Sequence, residues 1–394
     1  MAREVAGDGL TRRDFLRRAA VGAAATAGAV SGLKAELPAA LAGAERKAAG
    51  MRYRVLGRTK LKVSELGMGT IITGSAAVIR RALDLGITFF DTAECYRNGN
   101  SEIDLGKALK GRRDKAVVAT KWHTNGETPA QDLIASVEGS LQRLGMDHVE
   151  LIQIHGAENE AQVNSDELWE AFTRLRQDGK ARFNGLSVHG NLAVIRAAIK
   201  SGRYDAVLTT HSAVSPHITP VLAEAKKAGV GVIIMKALQA AHIGKDSEAF
   251  KGLSGSPYQM CIQWLLNDPN VSTVVVDMPT MEQLEEDYQG AITRLTRAEA
   301  EDFERRVAVA AVGACRLCGA CTRQCPAGVK VADIMRYALY HDGYGNRDYA
   351  TSLYRALPAG GGAAACGDCA TCSVVCPFGV RVQEQLVRAH ELMA

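Results

Sequence analysis

The run Ala116-Val117-Val118-Ala119-Thr120-Lys121, then the stretch 130–144 with Gly145 behind it, then Val149-Glu150-Leu151-Ile152-Gln153-Ile154-His155, decides the fold. Two short runs rich in β-branched residues flank a segment whose apolar positions recur at helical spacing. A glycine stands where that helix should end, so the piece reads as strand, helix, strand. The unit recurs on both sides. Strand-like runs lie near 63–67, 88–92, 183–188, 206–210, 231–236 and 272–277, helical patterns at 77–85 and 166–177, and Gly86, Gly179 and Gly229 mark further helix ends. Eight βα repeats over about 250 residues predict closure into a TIM (β/α)8 barrel. A doubly wound sheet competes, but it needs a G-x-G-x-x-G turn after its first strand, and Leu66-Gly67-Met68-Gly69-Thr70 does not fit one.

The 394 residues exceed what the barrel uses. The sequence predicts a leader and linker over 1–50, the α/β barrel over 51–300, and a small, mainly helical domain over 301–394. The formal net charge of +4 is concentrated in the first fifty residues, which carry eight Lys and Arg against five Asp and Glu. The rest of the chain is near neutral, with no basic stripe interleaved with aromatics, and nucleic acid is not an expected partner. Eight of the ten cysteines fall into two compact runs near the C-terminus, a pattern for metal ligation and not for scattered disulfides. Cys261, in an apolar helical stretch, reads as a packed core thiol, and Cys95 as a loop thiol that could gain reactivity from Lys121.

Cys315-x-x-Cys318-x-x-Cys321-x-x-x-Cys325-Pro326 and Cys366-x-x-Cys369-x-x-Cys372-x-x-x-Cys376-Pro377 resemble two copies of the bacterial ferredoxin run. The resemblance implies two [4Fe-4S] clusters, each held by three cysteines of one run and the last of the other. One set is Cys315, Cys318, Cys321 and Cys376, and the other Cys366, Cys369, Cys372 and Cys325. Structural zinc takes four ligands and gives no reason for the doubled three-plus-one spacing with its following proline. A helical stretch over 331–341 between the runs resembles the helix-inserted two-cluster domains of respiratory-type iron-sulfur subunits.

Near the N-terminus, Thr11-Arg12-Arg13-Asp14-Phe15-Leu16-Arg17 followed by an Ala/Gly-rich segment over 19–33 resembles a twin-arginine export signal. The segment is shorter than the ~20 apolar residues a membrane span needs, and Ala40-Leu41-Ala42 offers a cleavage site. The resemblance implies passage of a folded, cofactor-loaded protein through the twin-arginine translocase to the periplasm or the outer face of the cytoplasmic membrane.

Asp91-Thr92-Ala93-Glu94-Cys95-Tyr96 after the second strand, Lys121 ending the third and His155 ending the fourth resemble, in order and place, the catalytic set of the aldo-keto reductases. Singly, each has a structural reading, as a helix cap, a loop aromatic, a solvated strand end or a satisfied polar group. Together they imply a carbonyl site. Tyr96 is the implied proton donor, Lys121 the cation that lowers its pKa, Asp91 the residue that orients Lys121, and His155 the hydrogen-bond donor to the carbonyl oxygen.

The family's nicotinamide positions are altered. Of the Ser-Asn pair, the Gln and the stacking aromatic that follow strands five to seven, this chain keeps Ser187 and otherwise reads His189, Leu208 and Lys236. After strand eight it has Asp277-Met278-Pro279-Thr280 in place of a phosphate-cradling turn, and a carboxylate there repels phosphate. NAD(P) is thus implied by the resemblance and opposed by the residues. Either a cofactor is bound before export and kept, or electrons come through the clusters. The sequence leads to an exported iron-sulfur oxidoreductase acting on a small carbonyl or alcohol and exchanging electrons with a redox partner protein. The alternative is an electron-transfer subunit whose degenerate barrel serves for docking.

Overall fold

The computed structural model describes residues 50–394; the leader motif and its apolar segment lie outside them. The chain begins with an antiparallel hairpin, β1 (Tyr53–Val55) and β2 (Lys62–Ser64). The strands β3 (Leu66–Gly69), β4 (Phe89–Asp91), β5 (Val117–Trp122), β6 (Val149–Ile154), β7 (Ala181–Val188), β8 (Ala206–Thr210), β9 (Gly231–Met235) and β10 (Thr273–Asp277) come after it. They close as a parallel barrel in the order β10-β3-β4-β5-β6-β7-β8-β9, with helices in the connections. The TIM architecture expected from the repeats is present.

The first strand differs from its expected bounds of 63–67. Val63 belongs to the hairpin, and the barrel strand starts at Leu66. Val63 and Leu56 are fully buried and join Phe89, Ala119, Leu151 and Ile233 in the barrel interior. That β-branched residue therefore plugs the barrel floor instead of forming its wall.

Strand alternation builds the site. Phe89, Ala119 and Leu151 point into the barrel, while Phe90, Val118 and Ile152 pack under the helices. Two residues further along each strand, Asp91, Lys121 and Gln153 face inward on the same period. The register Lys121↔Gln153 makes those two neighbours at the C-terminal ends, with Asp91 opposite Ala119 on the adjoining strand. A polar layer thus rests on an apolar plug whose side chains each contribute about 1.5–3 kcal/mol on burial. Behind it, Gly106 lets helix Asn100–Leu109 approach the end of helix Ala130–Leu144, since a Cβ there would lie 2.0 Å from the Leu144 carbonyl oxygen. That approach places Glu102 to accept from Thr120 Oγ1 at 2.6 Å and Arg143 Nε at 2.7 Å, bracing β5 next to Lys121.

The chain leaves the barrel through helix Arg297–Ala310, which lays Phe303 and Val307 against Val214, Met260 and Cys261. The boundary expected at residue 300 falls inside this helix. Cys261 is 2% exposed in that contact. The remainder is mainly helical, with Val331–Ala338 running into a π turn at Leu339–Gly343, then Arg347–Arg355 and Val382–Met393. Its own core includes Ile334, Tyr354, Leu386 and Met393. Among the described residues no helix is long and apolar enough to cross a membrane.

Candidate active site

Lys121 is 2% exposed, so its charge requires partners. Its Nζ donates to the Asp91 carboxylate, to the Thr92 carbonyl at 2.7 Å and to the Tyr96 hydroxyl at 3.3 Å. Gln153 Nε2 donates to the other Asp91 oxygen at 3.0 Å and holds the carboxylate from its far side. Burial pushes the Asp91 carboxyl up, against the Lys121 charge and these hydrogen bonds. The Tyr96 ring lies 4.7 Å from the Lys121 amine and meets the His155 ring edge-on at 5.5 Å.

The expected lowering of the Tyr96 pKa is not what the structure gives. Burial first, then the Asp91 charge, push the phenol well above its ordinary value. The physical reason is that the phenol is removed from water, which disfavours its charged form, and faces the Asp91 carboxylate. Tyr96 stands as a neutral donor. Burial, with the charges of Lys121 and His123 behind it, holds the His155 imidazole well below its ordinary value, and it too is neutral. Cys95 Sγ lies 3.6 Å from His155 Nδ1, and burial pushes this thiol up to about 11. Proximity to Lys121 does not make it a thiolate.

Cys95, Tyr96, His123 and His155 line one cavity of about 640 Å³ together with Ser187 and with Cys315, Cys318, Cys321 and Cys376. Burial pushes the Cys315 thiol up to about 12, and its charge neighbours are Cys321, Cys318 and Cys376. Burial likewise raises Cys366, whose neighbours are Cys325, Cys369 and Cys372. The fold thus gathers two sets of four thiols, three from one run and one from the other. Four facing thiols are the donor set of a [4Fe-4S] cubane, and the residues fit that group. Of the second set, Cys325 alone reaches the cavity.

The C-terminal module is seated on the ends of β7, β8 and β9. A Cβ at Gly190, which has φ +71°, would lie 2.9 Å from the Leu317 carbonyl oxygen. Ser215 Oγ donates to the Arg316 carbonyl at 3.0 Å and Gln239 Nε2 to the Cys315 carbonyl at 2.9 Å. Lys236 Nζ donates to the Tyr340 hydroxyl at 3.0 Å and sits 4.2 Å from the centre of that ring. The Asp277 carboxylate, expected to repel a phosphate, accepts the Ile72 N–H at 3.1 Å and ties down the loop after β3. Lys236 and the loops after these strands are thereby engaged by the module, while Ser187, Lys236 and Tyr340 line the cavity.

Sequence reasoning missed Gln153, His123, Glu94 and Tyr340. Gln153 was legible, since it lies two residues beyond Leu151 on a strand whose neighbour supplies Lys121. Glu94 and His123 stand beside residues already singled out, Cys95 and Lys121, but nothing in the chain pairs the two with each other, and Tyr340 comes from the C-terminal module.

Comparison with known proteins agrees with this geometry. Residues 66–251 match the Aldo/keto reductase family, and residues 314–381 match a 4Fe-4S dicluster domain. The chain is 30% identical over 293 residues to the uncharacterized oxidoreductase YqkF of Bacillus subtilis, covering 63% of this chain and 94% of that protein. It is 30% identical over 286 residues to the L-galactose dehydrogenase of Arabidopsis thaliana, covering 62% and 89%. Among solved structures, the aldo-keto reductase AKR11C1 from Bacillus halodurans, in its holo form, superimposes with a TM-score of 0.57 at 25% identity, covering 65% of this chain and 96% of that one.

Proposed function

Because this chain belongs to the aldo/keto reductase family, we propose that it is an exported oxidoreductase that interconverts a carbonyl and an alcohol at the barrel mouth, with electrons relayed by two [4Fe-4S] clusters. The observation that carries this reading is the shared cavity, in which Tyr96 and His155 face the same space as Cys315, Cys318, Cys321 and Cys376. The conversion takes two electrons and two protons. The clusters, when bound, supply or accept electrons one at a time. One proton completes the C–H bond at carbon and is drawn from solvent at the open mouth of the cavity; the proton at oxygen falls to the side chains. Tyr96 donates it, the Lys121 amine 3.3 Å away stabilises the phenolate left behind, and Asp91 keeps Lys121 charged. His155 directs a hydrogen bond to the oxygen as negative charge gathers there. The occupied strand ends favour cluster-fed chemistry over a freely exchanging nicotinamide.

Holoprotein reduced anaerobically with dithionite is expected to be reoxidised by aldehydes or ketones of one size class, read as the return of cluster absorbance. Release of nicotinamide in a 1:1 ratio on denaturation would contradict the cluster-fed part and leave the barrel chemistry standing. The second reading, an electron-transfer subunit with a barrel used for docking, is favoured by the contacts of the strand ends with the module. It takes over if no carbonyl or alcohol exchanges electrons with the clusters. A redox partner protein is required on either reading.

Export rests on residues 11–17. Changing Arg12→Lys and Arg13→Lys together is expected to keep the protein in the cytoplasm, and fractionation with N-terminal sequencing checks it. Equal periplasmic recovery of parent and variant would remove the twin-arginine route.

A further inference from the structure

Three side chains at the mouth have no part in the module's cysteine sets and form a cluster of their own. Cys95 lies in the loop after β4, and His123 and His155 directly succeed β5 and β6. One ligand atom from each, Sγ and two ring nitrogens, all lie within 4.8 Å of one another. The Cys95 Sγ to His155 Nδ1 separation is 3.6 Å. A tetrahedral ion with metal–sulfur bonds of about 2.3 Å and metal–nitrogen bonds of about 2.0–2.1 Å sets its sulfur and nitrogen ligands about 3.5 Å apart.

A second observation concerns His123. Its Nδ1 is paired with Glu94 Oε1 at 3.1 Å, which leaves Nε2 as the free ring nitrogen. Glu94 is in turn fixed by the His123 backbone N–H at 3.0 Å and by Ser136 Oγ at 2.5 Å. A carboxylate holding the far nitrogen of a histidine is the usual support behind a metal-binding imidazole. The rings of His123 and His155 have centroids 4.5 Å apart, and all three side chains line the cavity.

We propose that Cys95, His123 and His155 bind one zinc ion, or a dication of similar borderline softness, with its fourth position open to the cavity beside Tyr96. Three protein ligands and an open position are the pattern of zinc sites that act on a bound molecule, whereas structural sites close the fourth position. Binding forms Cys–S–metal and N–metal bonds and releases the Cys95 thiol proton to solvent, with no change of oxidation state. The Cys95 thiolate and the Glu94 carboxylate together balance the two positive charges, which matters because the Lys121 amine lies nearby. The open position takes water at rest. In the carbonyl chemistry proposed above, on which this last role rests, the ion takes the substrate oxygen in place of the hydrogen bond from His155 and withdraws electron density from the carbon, and Tyr96 stands next to it with the proton.

The test reads metal and not turnover. Holoprotein dialysed against Zn2+ and then metal-free buffer is measured for iron and zinc by mass spectrometry, and the zinc X-ray absorption edge gives its ligands. About one zinc per chain at full iron is expected, with one sulfur and two nitrogen neighbours. In the Cys95→Ser/His123→Ala double variant zinc should fall at least tenfold while iron and the circular dichroism spectrum hold. Glu94→Gln keeps all three ligands, and should weaken zinc about 10- to 100-fold in competition with a chelator. Fully iron-loaded protein that retains no zinc overturns the proposal. So does zinc equally retained by the double variant, since the ion then resides away from Cys95 and His123. Zinc at the site without any carbonyl-dependent reoxidation sinks the proposed function and leaves the metal site standing.

Discussion

Tyr96→Phe is expected to slow carbonyl-dependent reoxidation of the reduced holoprotein by about 10²- to 10⁴-fold, the range a positioned general acid supplies, with iron content unchanged. Phenylalanine keeps the ring that meets His155 edge-on and lies near the Lys121 amine, so packing is preserved and the proton is what is lost. Burial sets the pH dependence. The folded protein holds the phenol well above 10, so the donor stays protonated throughout the neutral range, and reduction should not decline there on account of Tyr96. A group with a raised pKa loses its proton only as the pH climbs through that raised value, which puts any decline on the alkaline side of about 10. A rate that falls through pH 7 in the parent and not in Tyr96→Phe would show that the phenol is acidified in the protein and that the neutral-donor picture is wrong. Turnover unchanged in the variant would remove Tyr96 from the chemistry altogether.

Much of this arrangement was legible because strand alternation and catalytic spacing are local. The bounds of β8 coincide with the expected run 206–210, and helices Ala130–Leu144 and Asp166–Gln177 with theirs, because Gly145 and the polar turn around Asp178 punctuate the chain where the helices stop. The error at β3 came from reading Val63 by propensity, which cannot distinguish a barrel wall from a floor plug. The Tyr96 shift was misjudged for a related reason. A lysine can be read from sequence, but how far the phenol is removed from water, and that it faces the Asp91 carboxylate, are properties of packing. The contact between Lys236 and Tyr340 joins residues 104 positions apart, and neither carries a mark of the other in the chain. The same holds for His123 and Glu94. What the sequence could say of the strand-end positions was that they had changed; the structure shows that the module is seated on them.

The seating of the module makes the two thiol sets unequal, and that inequality is testable. Cys376 belongs to the set that lines the cavity with Tyr96, whereas Cys325 belongs to the set centred on Cys366, whose remaining members do not line it. Cys376→Ala and Cys325→Ala should each lower iron from about eight to about four per chain if each removes one [4Fe-4S] cluster. Their kinetics should differ. In the proposed relay, loss of the near cluster removes the last electron carrier before the substrate, so Cys376→Ala is expected to cut carbonyl reduction at least a hundredfold even with excess dithionite. Loss of the outer cluster leaves that last step in place. Cys325→Ala held in excess dithionite, which refills the near cluster for the second of the two electrons, should still reduce carbonyl at close to the parent rate, while reduction by a protein donor slows. The comparison uses rapid mixing for the rate and electron paramagnetic resonance to establish which cluster remains. If Cys325→Ala abolishes carbonyl reduction under excess dithionite and Cys376→Ala preserves it, electrons reach the barrel by a path other than the shared cavity, and the proximity of Cys315, Cys318, Cys321 and Cys376 to Tyr96 has no part in the chemistry.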